Sequence, residues 1–202
     1  MKNMKKYNYI IKKDFFTPFG YAFRVINHIG KLIYYSRQKP FKLKEEIRIY
    51  NNLEMIKEEF WIKARQILDW YATYDIIDSK SQEIIGSLKR VGNKEHVFRE
   101  LRDCWEILDK NGAQIGEVIE DKKYFMRRLP IPLIGPLLGV LIPQNYTIEI
   151  NKSNVGTINQ IFNPFIHKFK VYLNPEKESS IDKRIIIAGT LLLLAIEGRQ
   201  KQ

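Results

Sequence analysis

Ser180-IDKRIIIAGTLLLLAIEGRQ-Lys201 is the stretch that decides the fold of this chain. Between Ile185 and Ile196 every residue is apolar except Thr190. A helix on a protein surface carries one apolar stripe, whereas a helix that is apolar all round must be enclosed on every side. Crossing a bilayer takes about 20 apolar residues. The shorter run therefore predicts a buried core helix at about residues 181–198 and no transmembrane span.

The rest of the chain reads as short strands in hairpin pairs. Four segments share one pattern, an alternating strand, a turn containing Asn or Asp, and a second alternating strand; they are residues 22–37, 73–90, 105–120 and 146–162. The last three carry an Ile-Gly or Val-Gly dipeptide near the start of the second strand. Further strands are expected at Glu46–Tyr50, Phe60–Ile67 and Phe165–Tyr172.

Many hairpins and one all-apolar helix fit together when the sheet closes around the helix. Closure removes the sheet edges, and the helix fills the lumen. The predicted fold is therefore mainly β, a closed antiparallel β-barrel enclosing a hydrophobic C-terminal α-helix. Residues 1–19 are expected to form a flexible arm or an added strand, and residues 20–202 a single barrel domain.

Composition narrows the choice of partner. The chain has 202 residues, a formal net charge of +11 and a pI near 9.6. This charge favours an anionic partner, namely a membrane surface, an acidic protein or nucleic acid, although a merely solvated basic surface would look the same. With one cysteine, Cys104, and no apolar stretch after the basic N-terminus, a cytoplasmic location is expected, with or without contact to a membrane surface.

Several stretches together resemble the LURP-one-related family of the tubby C-terminal-like superfamily, which also contains the phospholipid scramblases. The resemblance covers about residues 20–200, and the stretches that carry it are Phe41-KLKEEIRIY, Ile62-KARQILDW, Thr73-YDIID, Cys104-WEILDKNGAQIGEVIED, Arg127-Arg128, Gln144-NYTIEI, Phe162-NPFIHKFKV, Ile181-DKR and Ala195-IEGRQ. It implies a twelve-stranded barrel around a central hydrophobic helix.

The same resemblance implies contact with phospholipids. Tubby proteins bind phosphoinositide headgroups through basic residues on the barrel, and scramblases act on membrane phospholipids and respond to calcium. This chain lacks the Pro-rich N-terminal region and the cysteine cluster of the scramblases. Because fold does not carry function with it, a scramblase activity is not expected.

No catalytic constellation is visible in the sequence. The three histidines, His28, His96 and His167, are scattered, and Cys104 has no neighbouring ligand for a zinc site. Phosphate loops and hydrolase motifs are absent from the sequence as well. The chain is therefore expected to be non-enzymatic and to need no cofactor or metal.

Two sets of residues are candidates for contact with lipid. The Pro-rich segment 127–145 is strongly apolar and follows basic residues. It predicts either a loop that dips into a membrane or a plug over one end of the barrel, and the plug is preferred. The candidate membrane-contact residues are Leu133, Ile134, Leu137 and Leu138. The candidate anion-binding residues are Lys122, Lys123, Arg127, Arg128, Lys168 and Lys170, the last two on one face of a strand.

The acidic residues before the helix allow two interpretations. Glu176, Glu178 and Asp182 could bind calcium, as the comparable region of scramblases is thought to do. Asp182 is also well placed to cap the helix, and that structural role is preferred.

Three functions follow in order of preference. The first is a non-enzymatic barrel that binds anionic phospholipid headgroups or acts at a membrane surface. The second is a structural or protein-interaction module. The third, a nucleic-acid-binding protein, requires exposed aromatic rings among the basic residues, whereas Trp61, Trp70 and Trp105 are expected in the core.

Overall fold

The computed structural model describes residues 7–15, 21–38, 46–65, 72–91, 103–121, 143–161 and 167–197. In these ranges the chain forms twelve strands, a short 3-10 helix at Glu178–Ser180 and one α-helix. The elements are β1 (Tyr9–Phe15), β2 (Tyr21–Asn27), β3 (Leu32–Gln38), β4 (Glu46–Tyr50), β5 (Glu58–Ala64), β6 (Thr73–Asp78), β7 (Ile84–Arg90), β8 (Cys104–Leu108), β9 (Gln114–Glu120), β10 (Asn145–Ile150), β11 (Ser153–Ile161), β12 (His167–Leu173) and α1 (Lys183–Glu197).

The strands close into one antiparallel barrel. Each strand pairs with the next along the chain, and β1 also pairs with β12, which completes the ring. Ile11 of β1, for example, lies opposite Phe169 on one side and Val25 on the other. The predicted closed antiparallel barrel is confirmed, and in the described ranges one α-helix accompanies it. Part of the N-terminal segment is a barrel strand, since β1 lies between β12 and β2.

The local predictions place most strands well. Glu46–Tyr50 is β4 with the predicted bounds, whereas the strands predicted at 60–67 and 165–172 are β5 and β12 with shifted ends. Residues 66–67 and 165–166 lie outside the described part.

The four predicted turns connect β2 to β3, β6 to β7, β8 to β9 and β10 to β11. Together with residues 51–57 between β4 and β5, they lie at one end of the barrel, here called the turn end.

The recurring Ile-Gly and Val-Gly dipeptides mark β-bulges. In β7, β9 and β11 the residue before the glycine is the extra one, left without a partner where the register shifts. A Cβ on Gly116 would overlap the carbonyl oxygen of Glu149, and one on Gly86 would stand 2.6 Å from Ile185 Cδ1 in the helix. Bulges increase local twist. At Gly86 and Gly116 the barrel wall therefore bends, and the backbone lies close to the helix or to the neighbouring strand.

Helix α1 runs through the lumen. It contacts β1 and β12 on one side and β6 and β7 on the other. In a ring of twelve, β7 stands opposite β1 and β6 opposite β12. The 15 residues of α1 span roughly 22 Å at 1.5 Å per residue, and a seven-residue strand spans roughly 23 Å, so the helix matches the wall in length.

The helix and the inward side chains form one hydrophobic core. Every helix residue from 185 to 195 is buried except the half-buried Gly189. The single polar residue of the apolar run, Thr190, is buried and donates its hydroxyl hydrogen bond to the Ile186 carbonyl at 2.9 Å. Strand alternation supplies the surrounding layer, as in β10, where Tyr146, Ile148 and Ile150 point inward. The one polar side chain among helix residues 185–195 thus has a hydrogen-bond partner.

Candidate anion-binding face

The predicted pair Lys168 and Lys170 lies on the outer wall of β12. Their neighbours Phe169 and Val171 are buried and point into the lumen, so alternation directs both lysines outward. Among the described carboxylates, none forms an ion pair with either lysine. The sequence prediction of a lysine row on one face of a strand is therefore matched by the register of the barrel.

Strand pairing adds two cations that the sequence analysis did not single out. Lys12 of β1 lies opposite Lys168, and Arg24 of β2 lies opposite Lys12. Neighbouring strands are about 4.8 Å apart, so the three cations stand in one row about 10 Å long. We call Lys12, Arg24, Lys168 and Lys170 the basic face.

One carboxylate sits within the basic face. Asp14 Oδ2 lies 3.0 Å from Arg24 Nε, and its Oδ1 lies 3.7 Å from Lys12 Nζ. Four cations and one carboxylate leave a net charge of +3 on this part of the wall. Asp14 thus lies close to both the Arg24 and the Lys12 side chains and offsets part of their charge.

Aromatic rings border the basic face. Lys170 Nζ lies 5.2 Å from the centroid of the Tyr7 ring, a cation–π distance. Tyr35 lies opposite Arg24 in the adjacent strand and is half-buried. Tyr172 follows Lys170 on the same outer side and is also half-buried. These rings have an apolar body and a polar hydroxyl, a combination enriched where protein meets the headgroup region of a membrane.

The wall carries an acidic row elsewhere. Glu106, Glu117 and Glu149 lie opposite one another across β8, β9 and β10 and point outward. Lys89 Nζ forms an ion pair with Glu106 at 3.1 Å. The basic and acidic sets lie on different parts of the ring.

The other predicted lipid-contact residues lie outside the described residues. They are Lys122, Lys123, Arg127, Arg128, Leu133, Ile134, Leu137 and Leu138. The described residues that flank this segment, Asp121 and Pro143, lie at the end of the barrel away from the turn end. The choice between a membrane loop and a plug stays a prediction.

Among the acidic residues before the helix, Asp182 has a structural role. Asp182 Oδ1 accepts a hydrogen bond from the Arg184 backbone N–H at 2.9 Å, so the predicted helix cap is confirmed. Burial alone would raise the pKa of Asp182, but hydrogen bonds from Arg184 outweigh it and lower that pKa. Glu176 is exposed, and its backbone N–H bonds to Asn174 Oδ1 at 3.2 Å. Glu178 lies in the 3-10 helix.

Arg184 also ties the helix to the wall. Its guanidinium bonds to Asp78 at the β6–β7 turn as well as to Asp182. Backbone N–H groups, first that of Ser81, together with Arg184 lower the pKa of Asp78 to about 2. The two carboxylates in turn raise the pKa of Arg184. This network fixes the N-terminus of α1 at the turn end.

The described residues of the types that could support catalysis are dispersed, and His96 lies outside the described ranges. His28 lies in the exposed turn after β2, whereas His167 begins β12 at the other end. Cys104 begins β8, with Sγ 3.9 Å from Glu117 Oε2. Across the described ranges no three His, Cys, Asp or Glu side chains are grouped as metal ligands would be.

One aromatic prediction is wrong. Trp105 is buried in the core as expected, but Trp61 lies on the outer wall, 5.2 Å from the Arg48 guanidinium and 5.6 Å from Lys63 Nζ. Its strand places Phe60 and Ile62 inward, and alternation then forces Trp61 outward. The surrounding cations cover the ring. Trp70 lies outside the described residues.

Comparison with protein-family models, with curated proteins and with solved structures finds no match for this chain. The candidate site is therefore defined by its own geometry. In the part of the chain that the structure describes, no helix has the length and apolar character needed to cross a bilayer.

Proposed function

We propose that this protein binds anionic phospholipid headgroups through the basic face and acts at a membrane surface, as its resemblance to the LURP-one-related family implies. The observation that carries the proposal is the row of Lys168, Lys12 and Arg24 in register across three strands. Phosphate groups are multiply charged acceptors and suit closely spaced Lys and Arg donors. The bordering tyrosines suit the headgroup region, and the net charge of +11 favours approach to an anionic surface.

Vesicle binding tests the proposal. The protein is sedimented with vesicles of phosphatidylcholine alone and with vesicles that also contain phosphatidylserine or a phosphoinositide. A lysine near an anionic surface contributes about 1 kcal/mol. The double variant Lys168→Gln/Lys170→Gln should therefore bind the anionic vesicles about thirtyfold more weakly.

A matched control removes the same charge elsewhere. Lys110→Gln/Lys152→Gln neutralises two exposed lysines in the turns after β8 and β10, away from the basic face. This control should lower affinity by less than about threefold. Equal losses in the two double variants would mean that net charge acts without a site. No binding of the wild type to anionic vesicles would refute the proposed function.

Binding of single-stranded nucleic acid is a second candidate, because Tyr35 and Tyr172 border the basic face. Bases stack on exposed aromatic faces, whereas these rings are half-buried, so lipid is preferred. Fluorescence anisotropy with a single-stranded oligonucleotide, measured against salt, separates the two candidates. Competition by the oligonucleotide at lower concentration than anionic vesicles would favour nucleic acid.

A further inference from the structure

The exposed large hydrophobic side chains of the described chain all lie at the turn end. The most exposed are Ile56 at 80%, Ile29 at 70% and Leu53 at 51%. Met55 and Ile84 are exposed to a lesser extent. They belong to three consecutive hairpins, β2–β3, β4–β5 and β6–β7, which occupy one side of the rim. Single exposed apolar residues are common on proteins. It is uncommon for the exposed apolar residues to be confined to one side of the rim at one end of a barrel.

Hydrogen bonds within the turns hold these side chains away from the core. Asn27 Oδ1 accepts hydrogen bonds from the backbone N–H groups of Ile29, at 3.1 Å, and Lys31, at 2.9 Å. Asn52 Oδ1 accepts one from the Ile56 N–H at 3.2 Å. Such side-chain bonds replace the missing backbone partners and fix the turn conformation. The backbone of each turn therefore sets the exposure of these apolar side chains, here called the apolar tips.

Each of the three hairpins also has a lysine in its turn segment. Lys31, Lys57 and Lys80 are all exposed. The hairpins on the other side of the rim differ, since the residues at the β8–β9 and β10–β11 turns are polar or small. An apolar tip flanked by lysines is the chemistry of segments that lie in the membrane interface, with the apolar part at the acyl boundary and the cations among the headgroups.

We propose that Ile29, Leu53 and Ile56 insert into the interfacial region of an anionic membrane and orient the barrel on it. This inference rests on the proposed function and adds an insertion site that is separate from the basic face. The two surfaces adjoin, because Ile29 extends from β2, whose outer wall carries Arg24. A barrel tilted onto its β2–β3 side brings both to the bilayer together.

A lipid surface fits these tips better than a protein partner does. The three side chains project from two separate turns, with Glu54 between Leu53 and Ile56 and Lys57 directly after them. A protein interface has a contiguous apolar core from which charged residues are depleted. A fluid interface instead accepts each tip separately and leaves the charged residues among headgroups.

A site-specific fluorophore tests insertion directly. In a Cys104→Ser background, Ile56→Cys and, as a matched control, Asn111→Cys are labelled with an environment-sensitive dye. Asn111 is an exposed turn residue at the same end of the barrel but on its polar side. With vesicles containing phosphatidylserine, we expect a blue shift at position 56 and little change at position 111.

Substitution provides a second measurement on the unlabelled protein. Ile29→Ser/Ile56→Ser removes two exposed side chains and should leave the circular dichroism and thermal unfolding unchanged. Partitioning onto the same vesicles should fall about a hundredfold, because each isoleucine loses its transfer out of water. Light scattering of both proteins without lipid detects self-association.

The outcomes separate this inference from the proposed function. Wild-type binding that persists in the double serine variant, without a blue shift at position 56, overturns the insertion site and leaves headgroup binding intact. Loss of a self-associated state in that variant, with vesicle binding unchanged, assigns the tips to a protein contact and also overturns the inference. No vesicle binding by the wild type refutes the proposed function itself.

Discussion

Replacing Leu192 with alanine tests whether α1 is enclosed by the barrel. Leu192 is 1% exposed and lies within the single hydrophobic core. The substitution removes three carbon atoms, a loss of about 2.4 kcal/mol at about 0.8 kcal/mol each, and the remaining cavity adds to it. We expect the free energy of unfolding to fall by about 3–4 kcal/mol and the midpoint of thermal unfolding by about 10 °C.

The matched control makes the same chemical change at the surface. Leu53 is half exposed in the β4–β5 turn, so Leu53→Ala should change the free energy of unfolding by less than about 0.5 kcal/mol. Urea unfolding followed by tryptophan fluorescence suits the assay, since Trp105 lies in the core. A difference of under about 1 kcal/mol between the two variants would show that the helix is not enclosed. By the same reasoning, Leu192→Lys should yield no soluble folded protein, because it buries an unpaired charge.

Two further predictions concern close approach and acid stability. Gly116→Ala should destabilise the fold by about 1–3 kcal/mol in urea, because its Cβ would overlap the Glu149 carbonyl. Gly189→Ala, a helix position at which the added Cβ would stand 3.4 Å from Leu88 Cδ1 of β7, should instead be neutral or stabilising by under about 1 kcal/mol. The lowered pKa of Asp78 means that its contribution is present above its usual value of 3.8 and is lost as the pH falls through about 2. Asp78→Asn should therefore flatten the loss of stability between those pH values, and an unchanged slope would show that the bonds of Asp78 to the Ser81 N–H and to Arg184 are not maintained in solution.

Local pattern was enough to predict the hairpins and the helix. Strand alternation and turn residues act over a few positions, which is why β4 and the turn after Asp78 were found where predicted. The helix followed from the length and uniform apolarity of one segment. The Ile-Gly and Val-Gly dipeptides were visible in the sequence, but their meaning as β-bulges became clear only from the paired strands.

The candidate site depended on pairing between distant parts of the chain. Lys12 and Lys168 are brought together by the register of the first and last strands, which no local pattern fixes. Ile29 falls within one of the predicted turns, but its degree of exposure became visible only with the conformation of that turn and its bond to Asn27. The prediction for Trp61 was wrong for a related reason. Residue type alone predicts burial, whereas the alternation of the strand decides whether the side chain points inward or outward.

The barrel has a topology that constrains the order of events during folding. The ring is completed by pairing β1 with β12, and the helix that fills the lumen follows β12 in the chain. Contacts this distant in sequence form late, because the loop that joins them must first be closed. On the ribosome, the hairpins can form in turn, but their apolar inner faces stay uncovered until residues 183–197 emerge. Chaperone dependence and aggregation during synthesis should therefore depend on how soon this helical segment follows the strands.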